Sequence, residues 1–275
     1  MTKVKICGIT SKTELEFINR YLPDYIGFVF ADSKRRVTPE KAAELAAGLS
    51  PAIKKAGVFV DTRPEEAAGI AAIAGLDALQ LCGSEDASYI AGLRHLLKPG
   101  TEIWKAVRMG GSIQPGGGCG PGSDINSGSD INTGRGINTG YHSVPVGGAE
   151  TEFGHPAGGH LQPVGAFVTG LKGSLEYVYE SLRACSADRL ILDTYTAGQA
   201  GGTGKTFDWG LAQQLGKHVR LPIILAGGLN PGNVRQAIEQ VAPFAVDTSS
   251  GVEGVGIKDE EKVRSFIEAV RGESR

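Results

Sequence analysis

Cysteine is scarce in this chain of 275 residues: Cys7, Cys82, Cys119 and Cys185 stand far apart, with no CxxC spacing. That excludes a zinc ribbon and a disulfide framework, and predicts a reduced, cytoplasmic protein. No apolar run approaches the roughly 18 residues that a membrane span requires. The N-terminus passes directly into a strand-like Val4-Lys5-Ile6-Cys7, without the charged and apolar regions of a signal peptide, so no leader is expected. An excess of one charge is also missing. With 28 basic and 30 acidic residues and a net charge of -2, there is no field to hold nucleic acid or an anionic membrane surface. What remains is a globular protein, 41% apolar, long enough to bury a full core.

Short β-rich runs alternate with amphipathic helical patterns. The strand candidates are Lys3–Cys7, Tyr25–Phe30, Lys55–Val60, Ala78–Leu81, Glu102–Val107, Arg189–Asp193, Pro222–Ala226 and Ala242–Asp247. Between and after them lie helix candidates at Lys12–Tyr21, Pro39–Ala47, Pro64–Ile73, Ala87–Leu97, Ser174–Ala184, Phe207–Leu215, Pro231–Val241 and Lys258–Val270, several opened by Pro or Ser. Eight βα pairs predict an α/β protein with a closed parallel sheet, a (β/α)₈ TIM barrel forming a single domain over residues 1–275. One stretch, 110–165, breaks the rhythm. It holds 17 of the 41 glycines, few large apolar residues and a period-six repeat beginning Asp124-Ile-Asn-Ser-Gly-Ser. Such a composition cannot offset the entropy of ordering, so it reads as a flexible insertion in the fifth βα loop. His142, His155 and His160 within it match no ligand spacing, and no metal is expected.

In a barrel the active site is built where strands give way to their following loops. Those positions are polar here: Cys7, 33–36, Asp61, Gln80 and Cys82, Lys105 and Arg108, Asp193, Gly227 and Gly228, and 247–251. A lone cysteine is commonly a small buried apolar residue, but Cys7 closes a strand and precedes Gly8, which aims its thiol at the mouth. Because a free thiol has a pKa of about 8.5, Cys7 needs cationic help to act as a base, and Lys5 shares its face. Asp193 closes the apolar run Leu190-Ile-Leu192, which should raise its carboxyl pKa and keep a proton available. Glycine-rich turns follow strands six, seven and eight: Gly201-Gly-Thr-Gly204-Lys-Thr206, Ala226-Gly227-Gly228-Leu-Asn230, and Thr248-Ser249-Ser250-Gly251. Their backbone amides suit a phosphate, which gives Gly204, Gly227, Gly228, Ser249, Ser250 and Gly251 as candidates. The first turn is not a P-loop, because Gln199 stands where the motif needs glycine.

Ten segments in order resemble the phosphoribosylanthranilate isomerase family: Lys5-Ile-Cys-Gly-Ile-Thr10, Gly27-Phe-Val-Phe30, Ser33-Lys-Arg-Arg-Val-Thr-Pro39, Gly57-Val-Phe-Val60, Leu79-Gln-Leu-Cys-Gly83, Trp104-Lys-Ala-Val107, Leu192-Asp-Thr194, the turn from Gly201 to Trp209, Ala226-Gly-Gly-Leu-Asn-Pro231 and Val246-Asp-Thr-Ser-Ser-Gly-Val-Glu253. The resemblance covers the chain outside the insertion. It implies a cofactor-independent Amadori rearrangement in tryptophan biosynthesis, acting on a small phosphorylated substrate, by a monomer or homodimer. Cys7 is then the general base and Asp193 the general acid. Arg35, with Arg36 as its rival, would contact the anthranilate together with Gln80, against an apolar wall from Ile9 or Phe28.

One departure is chemical: the family's Leu-Gln-Leu-His-Gly reads Leu-Gln-Leu-Cys-Gly here, with Cys82 in the histidine position. The other is the length of the fifth loop. Rival barrels share the phosphate logic. Indoleglycerol-phosphate synthase would call for lysine and glutamate at strand ends, and the isomerase of histidine biosynthesis for aspartate at the end of the first strand. A barrel retained only for binding is a further alternative, since fold alone does not fix function.

Overall fold

The computed structural model describes residues 1–109, 186–194 and 208–272. The insertion 110–165, the helix expected at Ser174–Ala184 and the turn carrying Gly204 lie outside the described residues. The strands are β1 Lys3–Cys7, β2 Tyr25–Val29, β3 Lys54–Phe59, β4 Ala78–Leu81, β5 Glu102–Met109, β6 Arg189–Thr194, β7 Ile223–Leu225 and β8 Ala245–Thr248. They pair in chain order, all parallel, and β8 closes on β1. The helices among the described residues are α1 Lys12–Tyr21, α2 Pro39–Ala47, α3 Pro64–Ala74, α4 Ala87–Leu96, α5 Trp209–His218, α6 Val234–Val241 and α7 Glu260–Arg271. None is long and apolar enough to cross a membrane.

Strand periodicity of two sorts the side chains. On β1, Val4 and Ile6 belong to the large apolar layer shared with the helices, while Lys5 and Cys7 point into the barrel. A second cluster, Tyr25, Ala56, Ala78, Trp104, Ile191, Ile224, Ala226 and Ala245, fills the barrel interior. Above it Cys7, Val29 and Val58 pack together with Ala31 and Cys82. The interior is therefore filled by an apolar base, on which the buried Lys5–Asp247 pair and then the layer of Cys7 stand.

Several boundaries differ from the sequence expectation, three of them for local reasons that bear on the site. Helix α6 starts at Val234 rather than Pro231, because the Asn233 side chain accepts from the Asn230 amide at 2.8 Å and forms a separate turn. Strand β8 starts at Ala245, since Ala242 adopts φ +48° and caps α6 by donating to the Ile238 carbonyl. Helix α7 starts at Glu260 behind the Asp259 cap, which frees Lys258 to turn inward. At the other end of the same junction, Glu14 forms a capping box with Ser11. It accepts from the amides of Thr10 at 2.7 Å and Ser11 at 2.9 Å, and its second oxygen accepts from the Lys258 amide at 3.0 Å. One buried carboxylate thus fixes the first and eighth βα loops against each other.

Candidate active site

Cys7 ends β1 and lies buried at the mouth. Gly8 follows at φ +85°, a conformation that costs glycine nothing, and turns the chain so that the amides of Gly8 and Ile9 both donate to the Gly27 carbonyl. On the neighbouring strand, a Cβ added at Gly27 would lie 2.7 Å from the Cys7 sulfur, so the missing side chain is the room the thiol occupies. Beneath it, Lys5 and Asp247 are paired by strand register and joined at 2.8 Å, with both side chains almost wholly buried. Burial works against the charge on Lys5, but Asp247 and the Cys7 thiolate outweigh it and hold the ammonium above the usual lysine range. For Cys7 the balance runs the other way. Burial pushes the thiol up and Asp247 adds to this, while Lys5 and Lys258 pull it back without fully compensating. Lys5 does assist the thiolate, as its position on the strand predicts, but burial is the larger effect.

Asp193 sits on β6 opposite Arg108 of β5. Its carboxyl is pushed up from an ordinary 3.8 to about 6, first by burial and then by Asp247, against the Thr194 amide, Lys5 and Arg108. The flanking Leu190 and Leu192 face the helices, so the apolar surroundings come from the barrel interior and not from the run itself. Gln80 points into the same interior. Its amide nitrogen donates to the Cys82 sulfur at 3.3 Å, and its buried carbonyl oxygen has no partner among the described residues. The Cys82 thiol is raised to about 12, chiefly by burial, so at neutral pH it is an uncharged acceptor for Gln80. Lys105, a strand-end residue in the sequence, faces away from the mouth. It donates to Glu85 and to the Gly83 carbonyl, both at 2.7 Å, and binds the fourth loop to the outside of the sheet.

The seventh and eighth loops form a backbone concavity. Gly227 and Gly228 take φ +83° and +67°, and a Cβ on Gly227 would lie 2.2 Å from the Thr194 hydroxyl. Ser250–Val252 form a single 3₁₀ turn, and a Cβ on Gly251 would collide with the Leu229 carbonyl at 1.9 Å. Among the described residues no acceptor takes the amides of Gly227, Gly228, Ser250 or Gly251. Such unclaimed donors suit an anion. The Ser249 hydroxyl donates to the Cys7 carbonyl at 2.9 Å, linking this concavity to the thiol's strand.

Two charged residues here were not singled out from sequence. Lys258, only 3% exposed, donates to the Ser249 carbonyl and to Glu253, both at 2.9 Å. Glu253 also receives Nε and Nη2 of Arg35. Burial alone would raise the Glu253 carboxyl, but Arg35 and Lys258 hold it below the usual range. The Lys258 ammonium is lowered by its own burial. Lysine is seldom buried, which is why Lys258 reads as the start of a solvated helix. The only sequence signal is its place between Glu253 and the acidic Asp259-Glu260-Glu261 cap. Arg36 is exposed and stands apart from this cluster.

A closed parallel barrel gathers at its strand ends a thiol, a carboxyl of raised pKa, a buried lysine and turns with unclaimed backbone donors, the setting of an enzyme of phosphorylated small molecules. The chain belongs to the N-(5'-phosphoribosyl)anthranilate (PRA) isomerase family, whose model matches residues 4–115 and 169–269. It is 37% identical to the N-(5'-phosphoribosyl)anthranilate isomerase of Acetivibrio thermocellus, over 98% of this chain and 96% of that one. The enzyme of Thermoanaerobacter pseudethanolicus is 35% identical over 99% of both. The crystal structure of phosphoribosyl anthranilate isomerase from Thermotoga maritima aligns with a TM-score of 0.68 and 30% identity, over 99% of this chain and all of that one. A further structure of the isomerase, in complex with reduced 1-(o-carboxyphenylamino)-1-deoxyribulose 5-phosphate, aligns at 0.65 and 27% identity over the same shares.

Proposed function

We propose that Cys7 and Asp193 carry the isomerisation of N-(5-phosphoribosyl)anthranilate to 1-(2-carboxyphenylamino)-1-deoxyribulose 5-phosphate. Family membership makes the chain a phosphoribosylanthranilate isomerase of tryptophan biosynthesis. The reaction is an aldose–ketose rearrangement that moves protons and leaves the substrate's composition unchanged. Asp193, pushed up to about 6, keeps a minor protonated fraction at neutral pH, far larger than an ordinary carboxyl would, and donates to the furanose ring oxygen, opening the ring to a Schiff base. Cys7, as thiolate, removes the C2 proton, and the enolamine so formed tautomerises to the ketone. Lys5 offsets the thiolate's charge from below, and Asp247 keeps Lys5 charged.

The observation that supports this reading most directly is that one buried ion pair, Lys5–Asp247, acts electrically on both Cys7 and Asp193. Asp247 raises both groups and Lys5 lowers both, so Lys5 partly offsets the upward push that burial gives to the thiol and to the carboxyl. A thiol and a carboxyl gathered at one mouth over a shared ion pair suit proton transfer on two sides of one sugar. The phosphate would lie on the amides of Gly227, Gly228, Ser250 and Gly251 beside Ser249; Gly204, a sequence candidate for the same role, lies outside the described residues. Arg35 and Gln80 would face the anthranilate, the free Gln80 carbonyl oxygen accepting from its amine. We place the enzyme in the cytoplasm, as a monomer or homodimer. The test is a coupled assay on phosphoribosylanthranilate: turnover is expected, and its absence with authentic substrate would remove the reading altogether.

A further inference from the structure

The clamp on Arg35 has no task in the proton transfers. Glu253 takes Nε and Nη2 of the guanidinium together, which fixes its plane as well as its position. A guanidinium has two edges that can each meet a carboxylate side-on, Nε with Nη2 and Nη1 with Nη2. Glu253 holds the first. Among the described residues Nη1 has no partner, so the second edge is open to a ligand.

Where that edge stands is set by the glycine beside the thiol. A Cβ on Gly8 would lie 2.5 Å from Arg35 Cδ and 3.4 Å from the Ser249 hydroxyl, so the arginine stem crosses the chain immediately after Cys7. Lys258 completes the arrangement by donating to Glu253 at 2.9 Å and to Ser249. Two cations share one carboxylate, leaving one net positive charge for an anionic group at the mouth. Without Glu253 the two cations would repel each other, and a long side chain on the second loop would lose its anchor on the eighth.

We propose that Glu253 is a positioning residue that presents the Nη1/Nη2 edge of Arg35 to the carboxylate of the anthranilate ring, making the enzyme selective for carboxylated arylamine substrates. This rests on the isomerase reading and adds to it the source of ring selectivity. Glu253 touches no reacting atom and acts through Arg35.

The test compares kcat/KM for two substrates formed in situ from ribose 5-phosphate and an arylamine: the anthranilate adduct and the aniline adduct, which lacks the carboxylate. In Glu253→Gln the value for the anthranilate adduct is expected to fall about tenfold or more, on the order of one lost charge-assisted bidentate contact, while that for the aniline adduct changes far less. In an Arg35→Lys background, which has no second edge to present, Glu253→Gln should add little. Equal losses on both substrates, or losses that multiply across the double variant, would reduce Glu253 to a structural residue. Glu253→Asp, which keeps the charge but withdraws it by one methylene, reports the same ratio if the glutamine variant does not fold. Failure of the wild-type chain on the anthranilate adduct would instead strike the isomerase reading, so the two failures are distinguishable.

Discussion

The two ends of the barrel use similar residues differently. At the N-terminal end of the strands, Glu102 receives Arg189 through two bonds of 2.7 and 2.9 Å and the Trp104 indole N–H at 2.7 Å. Arg189 also lies over the Phe244 ring at 3.8 Å, and Tyr25 meets Trp104 edge-on. Among the described residues the buried Tyr25 hydroxyl there has no partner. At the C-terminal end, Asp247 Oδ1, Gln80 Oε1 and the Thr194 hydroxyl are buried without partners among the described residues, and Asp193 is held in the wrong protonation range for an ordinary carboxyl. Unmatched buried polar atoms cost stability, about 1–3 kcal/mol each, so three of them gathered at one mouth suit a ligand that would satisfy them. One end is arranged to hold the barrel closed, and the other to act on a substrate.

That contrast can be broken from either side. The largest expected effect is from Cys7→Ala, which should lower kcat by about 10²–10⁴ as general-base loss does, while binding of the reduced product analogue persists. Near-normal turnover would remove the base assignment. Asp193→Asn should cost a similar factor and erase the limb of the pH–rate profile near pH 6, and it carries a second signature in stability. Because the folded-state pKa is raised, the native protein binds the extra proton between about pH 4 and 6, so stability falls as pH rises through that window. Asparagine has no charge to bury, so above pH 6 the variant should be more stable than wild type by at most about 3 kcal/mol. Urea melts at pH 5 and pH 7.5 measure this, and an unchanged difference between the two would count against it.

At the opposite end, Glu102→Gln should destabilise the fold by about 1.5–3 kcal/mol, the range for a lost hydrogen-bonded charge. It should leave kcat and the pH profile as they are. A shifted profile would show that the two ends are not independent.

Much of the site was legible in the sequence because a barrel converts order along the chain into position around a ring. Given eight βα units, strand-end residues such as Cys7, Gln80 and Asp193 must share one mouth, and glycines such as Gly227 and Gly228 mark where backbone approaches backbone. Lys105 shows the limit of that rule. It lies near a strand end, but period two turns it outward to Glu85, and the sequence does not reveal where the inward set begins. Arg35 is a second case. Its chemistry was visible, yet its clamp on Glu253 joins residues 218 positions apart and no periodicity connects them.

By itself, the sequence determined the number and order of the strands, the class of fold and several of the polar residues that the barrel gathers at its mouth, because these follow from local pattern and from motifs contiguous in the chain. Tertiary structure decided the state of those groups. Whether Cys7 is a thiol or a thiolate, and whether Asp193 keeps a proton, depends on burial and on charges from other strands. The strand register that sets Lys5 against Asp247, and the inward turn of Lys258, exist only once the barrel has closed.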